Sequence, residues 1–99
     1  MSWLPPKRFR VLYAKWRTRY VEPAGDWIGR YDERTRKVEI DKALPKNAAG
    51  EVFMHELLHI VWCAVGLQRD ERLREHGEQI VSAMAPTLFA VLRQNGMLK

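Results

Sequence analysis

Two histidines and a glutamate lie close together near the middle of the chain. The pattern His-Glu-x-x-His is formed by His55, Glu56 and His59, within the stretch FMHELLHIVWC. On a helix, side chains four residues apart lie on the same face, so His55 and His59 can bind one metal ion. Glu56 is displaced by one residue, close enough to reach a water molecule on the ion without binding the ion itself. Zinc lowers the pKa of such a water, and a glutamate that takes its proton would complete a hydrolytic centre.

The predicted position of this pattern is a buried helix. The helix is expected to begin after Asn47 as its N-cap and to end before Gly66. It would be apolar around most of its circumference, where histidine and glutamate are costly to bury without polar partners. The alternative is a core helix that carries two hydrogen-bonded histidines and a surface glutamate. We favour the metal site, because one ion would be a partner for both imidazoles.

The third ligand must come from another part of the chain. Cys63 lies one turn beyond His59, but it is about 12 Å from His55 along a helix axis. A straight helix cannot fold three ligands so spaced around one ion. We therefore expect Cys63 to be a small core residue.

The next helix offers three candidates for this ligand: Glu75, His76 and Glu78. Glu78 directly follows Gly77 and shares a face with apolar residues that should pack inward. Glu75 precedes Gly77, where the phase of the helix is less certain. His76 also shares a face with apolar residues, and would point inward as a ligand or as a core histidine. The residues favour Glu78 and leave the other two open.

The order of these features resembles that of the zincin metallopeptidases. A buried helix with HELLH follows a hairpin and precedes a polar turn and a second helix. The pattern is similar to the gluzincin branch, in which a glutamate of the following helix binds zinc. It is unlike the metzincin branch, whose glycine and third histidine would fall on Trp62 and Val65.

Within the zincins, the chain is most similar to small phage-encoded and ImmA/IrrE-type domains, over residues 9–95. The acidic pair usual in that family reads Gly77-Glu78 here, and the matching segments are WIGRYDERTRKVEID, HELLH and GEQIVSAMAPTLFAVLRQN. The resemblance implies a zinc peptidase acting on a protein or peptide substrate. Zn²⁺ would be the cofactor, bound by His55, His59 and Glu78, with Glu56 as the catalytic base.

The resemblance also indicates where a substrate would be held. A sheet edge beside the active-site helix, 27–31 or 37–41, would pair with an extended peptide by strand addition. The oxyanion of the transition state needs a donor besides the metal. Four residues are unranked candidates for it: Tyr13, Tyr20, Tyr31 and Arg93.

The fold class expected from the pattern is α+β in one domain, residues 1–99, with residues 1–8 as a flexible or loosely packed arm. A small antiparallel sheet of three to four strands would pack on the buried helix and on a second, C-terminal helix. That helix should begin at Asp70 and end near Gln94, with Pro86 kinking it or starting a new segment. Gly29 would mark a bulge or a close backbone approach. The predicted strands are Phe9–Ala14, Arg17–Val21, Trp27–Tyr31 and Lys37–Ile40.

Composition narrows the class of protein. The 99 residues are 46% hydrophobic and 29% charged, which is ordinary for a globular domain. No apolar run approaches the roughly 20 residues that span a membrane, and we expect neither a membrane segment nor a signal peptide. Cys63 is the single cysteine and cannot form an internal disulfide, so a reducing cytoplasm is the expected location.

The charge is divided unevenly between two parts of the chain. Residues 1–37 hold ten Lys and Arg against four Asp and Glu, whereas residues 38–99 hold seven against eight. A basic half makes nucleic acid a candidate partner. The alternative function is therefore a basic nucleic-acid-binding module in which any metal is structural. A simple solvated basic surface would give the same pattern.

Overall fold

Four strands and two helices make up the computed structural model, which describes residues 3–98. A short 3-10 turn, Leu67–Arg69, joins the two helices. Among the described residues, neither helix combines the length and the apolar character needed to cross a membrane. The elements are β1 (Arg8–Val11), β2 (Ala14–Val21), β3 (Gly29–Asp32), β4 (Lys37–Asp41), α1 (Lys46–Ala64) and α2 (Glu71–Gln94).

The strands form one sheet in the order β1-β2-β4-β3. The pairs β1–β2 and β3–β4 are antiparallel hairpins, and the central pair β2–β4 is parallel. The α+β class is confirmed, but the sheet is mixed where a wholly antiparallel one was expected. The reason is the connection 22–28, which leaves a gap of one strand between β2 and β3. β4 then fills this gap, parallel to β2 and antiparallel to β3.

One face of the sheet packs against α1 and forms the core. Val38 and Ile40 of β4 are completely buried there, and Trp16 of β2 is almost so. Burying each aliphatic side chain contributes about 1.5–3 kcal/mol. The charged residues that alternate with these core residues lie on the opposite face of the sheet.

The segment before β1 is part of this core. The Trp3 ring lies 5.8 Å from the Phe53 ring and 6.0 Å from the Phe89 ring, measured between centroids. Pro5 is buried. Trp3 and Pro5 therefore depart from the loosely packed arm expected over residues 1–8, because the Trp3 ring packs between the two helices, whereas Leu4, Pro6 and Lys7 are exposed. Residues 1 and 2 lie outside the described part of the chain.

The helix ends follow local backbone chemistry. α1 begins at Lys46 after Pro45, so the predicted N-cap Asn47 is wrong and lies inside the first turn. Proline fixes φ and fits the position just before a helix. Gly66 follows the end of α1 with a left-handed φ of 81°, as predicted.

The second helix has the predicted start and end. The Asp70 carboxylate accepts hydrogen bonds from the backbone N–H groups of Arg72 and Leu73, at 3.0 and 3.3 Å. This is the geometry of an N-cap. The helix continues through Pro86 to Gln94, so Pro86 does not start a new segment.

Contacts at two glycines bring the helices together. An added Cβ at Gly50 of α1 would lie 2.4 Å from Cζ of the buried Phe89 ring of α2. An added Cβ at Gly77 of α2 would lie 3.5 Å from the Trp62 ring, which is an ordinary van der Waals distance. The helix contact therefore requires glycine at position 50 and has room for a methyl group at position 77.

These two positions should respond oppositely to alanine. We expect Gly50→Ala to lower the free energy of unfolding by about 1–2 kcal/mol, because the buried Phe89 ring must move. Gly77→Ala should raise it by about 0.5–1 kcal/mol, since alanine is the better helix former. Urea unfolding of both variants followed by circular dichroism measures the difference. Equal effects at the two positions would contradict this account of the helix contact.

Candidate metal centre

The two imidazoles of the HELLH pattern share one face of α1, as the spacing predicts. The Nε2 atoms of His55 and His59 lie 3.2 Å apart. Both side chains are largely buried, with 27% and 16% of their surfaces exposed. The Tyr31 ring of β3 stacks on His59 at 5.8 Å between centroids and 20° between planes. Tyr31 therefore restricts the orientation of this imidazole.

A carboxylate from α2 reaches both imidazoles. The Glu78 oxygens lie 3.0 Å (Oε1) from His55 Nε2 and 2.5 Å (Oε2) from His59 Nε2. Partial burial raises the pKa of Glu78, but the charges of His59 and His55 outweigh this, so that its pKa lies below the usual value. The Ser82 hydroxyl, one turn further along α2, donates a hydrogen bond of 3.1 Å to Oε1. Ser82 thus helps to hold the carboxylate toward the histidines.

The three residues have the donor set of a zinc site. Their ligand atoms all lie within 4.8 Å of one another. Zinc binds imidazole nitrogen and carboxylate oxygen at about 2.0–2.2 Å, so a tetrahedral ion separates its ligand atoms by roughly 3.3 Å. The distances of 3.2 Å between the two Nε2 atoms and 3.0 Å from His55 to Glu78 are near this value, whereas the 2.5 Å from His59 Nε2 to Glu78 Oε2 is shorter. The group fits a metal ion with two histidines and one carboxylate.

The other candidate ligands lie elsewhere. Glu75 and His76 are exposed on α2, and His76 lines a separate surface hollow with Leu73 and Ile80. The sulfur of Cys63 lies 3.9 Å from the Tyr31 hydroxyl and does not belong to the group of metal-ligating atoms. Of the three residues weighed on the second helix, Glu78 alone is brought to the histidines.

The glutamate of the pattern is the buried member of the site. Glu56 is only 7% exposed. Burial raises the pKa of its carboxyl group to about 6; the charge of His55 lowers this pKa and the charge of Glu78 raises it, both by less than burial does. Its Oε2 atom has no hydrogen-bond partner among residues 3–98. A buried carboxylate oxygen is costly to leave unpartnered. This atom is available to a water molecule or to a bound ligand.

A cleft of about 470 Å³ opens beside these groups. It lies between the start of β3, α1 and α2. β3 approaches α1 so closely that a Cβ at Gly29 would lie 2.2 Å from a Val52 methyl group. The expected close approach at Gly29 is therefore confirmed. The lining residues include Ile28, Gly29, His55, Glu56, Glu78 and Pro86.

The position of β4 excludes one of the two substrate edges considered from sequence. β4 lies between β2 and β3, so the main chain of 37–41 is already paired on both sides and cannot take an added strand. β3 is an edge strand of the described sheet and borders the cleft. Of the two segments, 27–31 is the one whose main chain borders open space.

One of the four candidate oxyanion donors contacts the site. Tyr13 is fully exposed at the tip of the β1–β2 hairpin, and Tyr20 is 44% exposed on β2. Arg93 lies over the Phe89 ring near the end of α2. Tyr31 stacks on His59, but its hydroxyl lies at Cys63. Burial raises the pKa of the Tyr31 hydroxyl above its ordinary value.

Sequence reasoning missed Ser82 and the position of Pro86 in the cleft. The signal for Ser82 was its spacing of four residues from Glu78, which puts the two side chains on one helix face. Pro86 had no signal of this kind, because a proline within a helix indicates a disturbed backbone and not which surface it lines.

The assignment of Glu78 can be tested by metal content. We expect the wild-type chain to purify with, or to take up, stoichiometric zinc, and Glu78→Ala to lose most of it. Glu75→Ala and His76→Ala are matched controls on the same helix and should retain zinc. Elemental analysis after dialysis measures all four proteins. Zinc loss in a control but not in Glu78→Ala would show that another residue is the ligand.

The hydrogen bond from Ser82 should strengthen metal binding. We expect Ser82→Ala to weaken zinc affinity by about tenfold, the size of effect usual for a residue that orients a ligand. Ser82→Thr keeps the hydroxyl and should remain close to wild type. Competition with a chromogenic chelator measures the affinities, and equal affinities of Ser82→Ala and wild type would rule out this orienting role.

The chain was also compared with models of protein families, with curated proteins and with solved structures, and none of the three comparisons found a match. The candidate metal centre therefore depends on the residues and the distances described above.

Proposed function

We propose that this protein is a zinc-dependent metallopeptidase. The observation that carries the proposal is the convergence of His55 Nε2, His59 Nε2 and the Glu78 carboxylate beside the buried Glu56. Two histidines and one glutamate as ligands leave a fourth position open in a tetrahedral site, which is typical of catalytic zinc. The resemblance of HELLH and the following helix to the zincin metallopeptidases supports the same function.

Each polar residue of the site would have a distinct role. His55, His59 and Glu78 would hold zinc, which supplies a Lewis acid and a water molecule of lowered pKa. Tyr31 and Ser82 orient His59 and Glu78 through the ring contact and the hydrogen bond.

Glu56 is the proposed general base. Its unpartnered Oε2 atom can accept a hydrogen bond from the attacking water, take its proton and deliver that proton to the leaving amine. The Glu56 side chain lies in the wall of the same cleft as His55 and Glu78. General base catalysis requires first that the base lie within reach of the reacting water, and only then that its pKa suit the reaction.

The proposed substrate is an extended peptide segment. The cleft has one wall formed by the start of β3, where backbone N–H and C=O groups of an edge strand are free for pairing. A peptide added to this edge would pass Glu56 and the metal ligands. The lone, unpaired Cys63 is compatible with a reducing compartment, and we place the activity in the cytoplasm.

The decisive variant is Glu56→Gln. Glutamine has nearly the same shape but cannot take a proton, so we expect zinc content to be unchanged and peptide hydrolysis to fall by at least about 100-fold. Mass spectrometry of a peptide library incubated with each protein measures the hydrolysis. Glu75→Gln, which removes an exposed carboxylate from α2, is the matched control and should cleave like wild type.

Two outcomes would contradict the proposal. One is a wild-type protein that binds no zinc even after reconstitution. The other is cleavage by Glu56→Gln at the wild-type rate, which would assign the hydrolysis to a contaminating peptidase or to another base.

A further inference from the structure

The face of the sheet that points away from α1 is strongly basic. On β1, β2 and β4, cationic side chains occupy positions that alternate with the core residues. Among residues 3–98, α1 packs on the opposite face of the sheet, and α2 contacts α1 and the 3-10 turn but not the strands. The basic face is defined by Arg8, Arg10, Lys15, Arg17, Arg19 and Lys37.

Like charges lie directly opposite each other across these strands. Arg8 is paired with Arg17, and Arg10 with Lys15, in the antiparallel β1–β2 ladder. Arg17 is also the partner of Lys37 in the parallel ladder. Like charges in such cross-strand positions destabilise a sheet. The folded protein gains nothing from this arrangement by itself, whereas an anionic partner would remove the repulsion.

Acidic residues lie opposite only two of these cations in the described sheet: Glu39 is the cross-strand partner of Arg19, and Asp32 is that of Lys37. Among residues 3–98, none of the six side chains of the basic face forms an ion pair. Arg30, by contrast, is bonded to Glu39 at 2.8 Å, and Lys42 lies 4.0 Å from Glu22. The basic face is therefore available to an external anion.

A hollow of about 620 Å³ lies on this face. All charged residues that line the hollow are cationic. The backbone N–H of Arg17 donates a hydrogen bond of 3.1 Å to the Arg36 carbonyl, and this bond holds the β3–β4 turn at the rim of the hollow. The lining comprises Arg8, Phe9, Arg10, Lys15, Trp16, Arg17, Thr35 and Arg36. Five cations around one hollow complement the negative charge of a chain of phosphates.

The tip of the β1–β2 hairpin exposes apolar surface. Leu12 is 70% exposed and has a left-handed φ of 55°, and Tyr13 is completely exposed. Glycine or asparagine would adopt this turn at lower cost, and would expose no apolar side chain. Arg10 and Lys15 are the nearest cationic pair to this tip. The hairpin thus presents an aromatic ring next to the cations.

We propose that the basic face and the Leu12–Tyr13 tip form a binding surface for single-stranded nucleic acid. Phosphates lie along the cations of the hollow, and an unpaired base stacks on Tyr13. A basic groove with an adjacent aromatic is the usual means of binding single strands without sequence preference. In a duplex the bases are already stacked on one another, so it offers no free face to Tyr13. The surface lies across the sheet from Glu56, so binding does not depend on zinc.

The salt dependence of binding tests the phosphate contacts. The probe is a fluorescein-labelled oligothymidylate of about 20 nucleotides, longer than the site of about 4–16 nucleotides expected of such a surface. Five phosphate contacts predict a slope of about −3.5 for log K against log salt, and so about a 100-fold loss of affinity between about 50 and 200 mM. Fluorescence anisotropy with the full chain measures the affinity.

Removing positive charges from the basic face should weaken oligonucleotide binding more than removing them from another part of the protein. We expect the double variant Arg8→Gln/Arg17→Gln to make the slope of log K against log salt less negative by about 1.4, and to weaken binding about 50-fold near 50 mM salt. The matched control is Arg72→Gln/Arg74→Gln, which removes the same charge from exposed positions at the start of α2. It should bind like wild type. Circular dichroism checks that both variants fold.

The contribution of the tip is tested by Tyr13→Ala, which should weaken binding at least about fivefold, whereas Tyr13→Phe should keep wild-type affinity. Four results would each overturn the proposal: no binding of the oligonucleotide by micromolar protein at low salt, equal affinities of the face variant and its α2 control, wild-type affinity of Tyr13→Ala, or tighter binding of a duplex of the same length.

Discussion

The contact between the Glu78 carboxylate and the two imidazoles of α1 is the constraint on which the candidate site depends. It joins polar atoms of two helices that also pack through an apolar cluster around Met54, Ala85 and Phe89. A slip of one residue along α2 would rotate every side chain by roughly 100° and turn Glu78 away from His55 and His59. The polar geometry is therefore fixed by packing at a distance from it, above all by the Phe89 ring against Gly50.

An ion bound by this group would connect α1 and α2. The free energy of binding zinc adds to that of folding wherever the site is absent from the unfolded chain. The described core is small, so such a connection would be a considerable part of the stability of this fold. Within this proposal, catalysis and the docking of the second helix depend on the same bonds.

The sequence predicted the helices and the placement of His55, His59 and Glu78 on them better than it predicted the order of the strands. The spacing within HELLH put His55 and His59 on one face of a helix, since that inference needs only the helical period. The position after Gly77 and the similarity to the gluzincin pattern favoured Glu78. Local chemistry also predicted Asp70 as an N-cap and Gly66 as the residue after α1. The parallel β2–β4 pair was missed, since the place of β4 depends on how residues 22–28 cross the sheet, and no local pattern records that path. The packing of Trp3 was missed because a single aromatic residue followed by two prolines is typical of a loose arm. Its contacts with Phe53 and Phe89 depend on how α1 and α2 pack together, which the sequence near Trp3 does not show.

The distribution of charge over the two sheet edges has a consequence for assembly. β1 and β3 are the edges of the described sheet, and a free edge can pair with the same strand of a second molecule. Two β1 strands that met in antiparallel fashion would bring Arg8 and Arg10 of one copy against those of the other, and this repulsion opposes polymerisation along that edge. β3 carries both an arginine and an aspartate, and has no such barrier. The edge that remains open to an incoming strand is the one that borders the cleft.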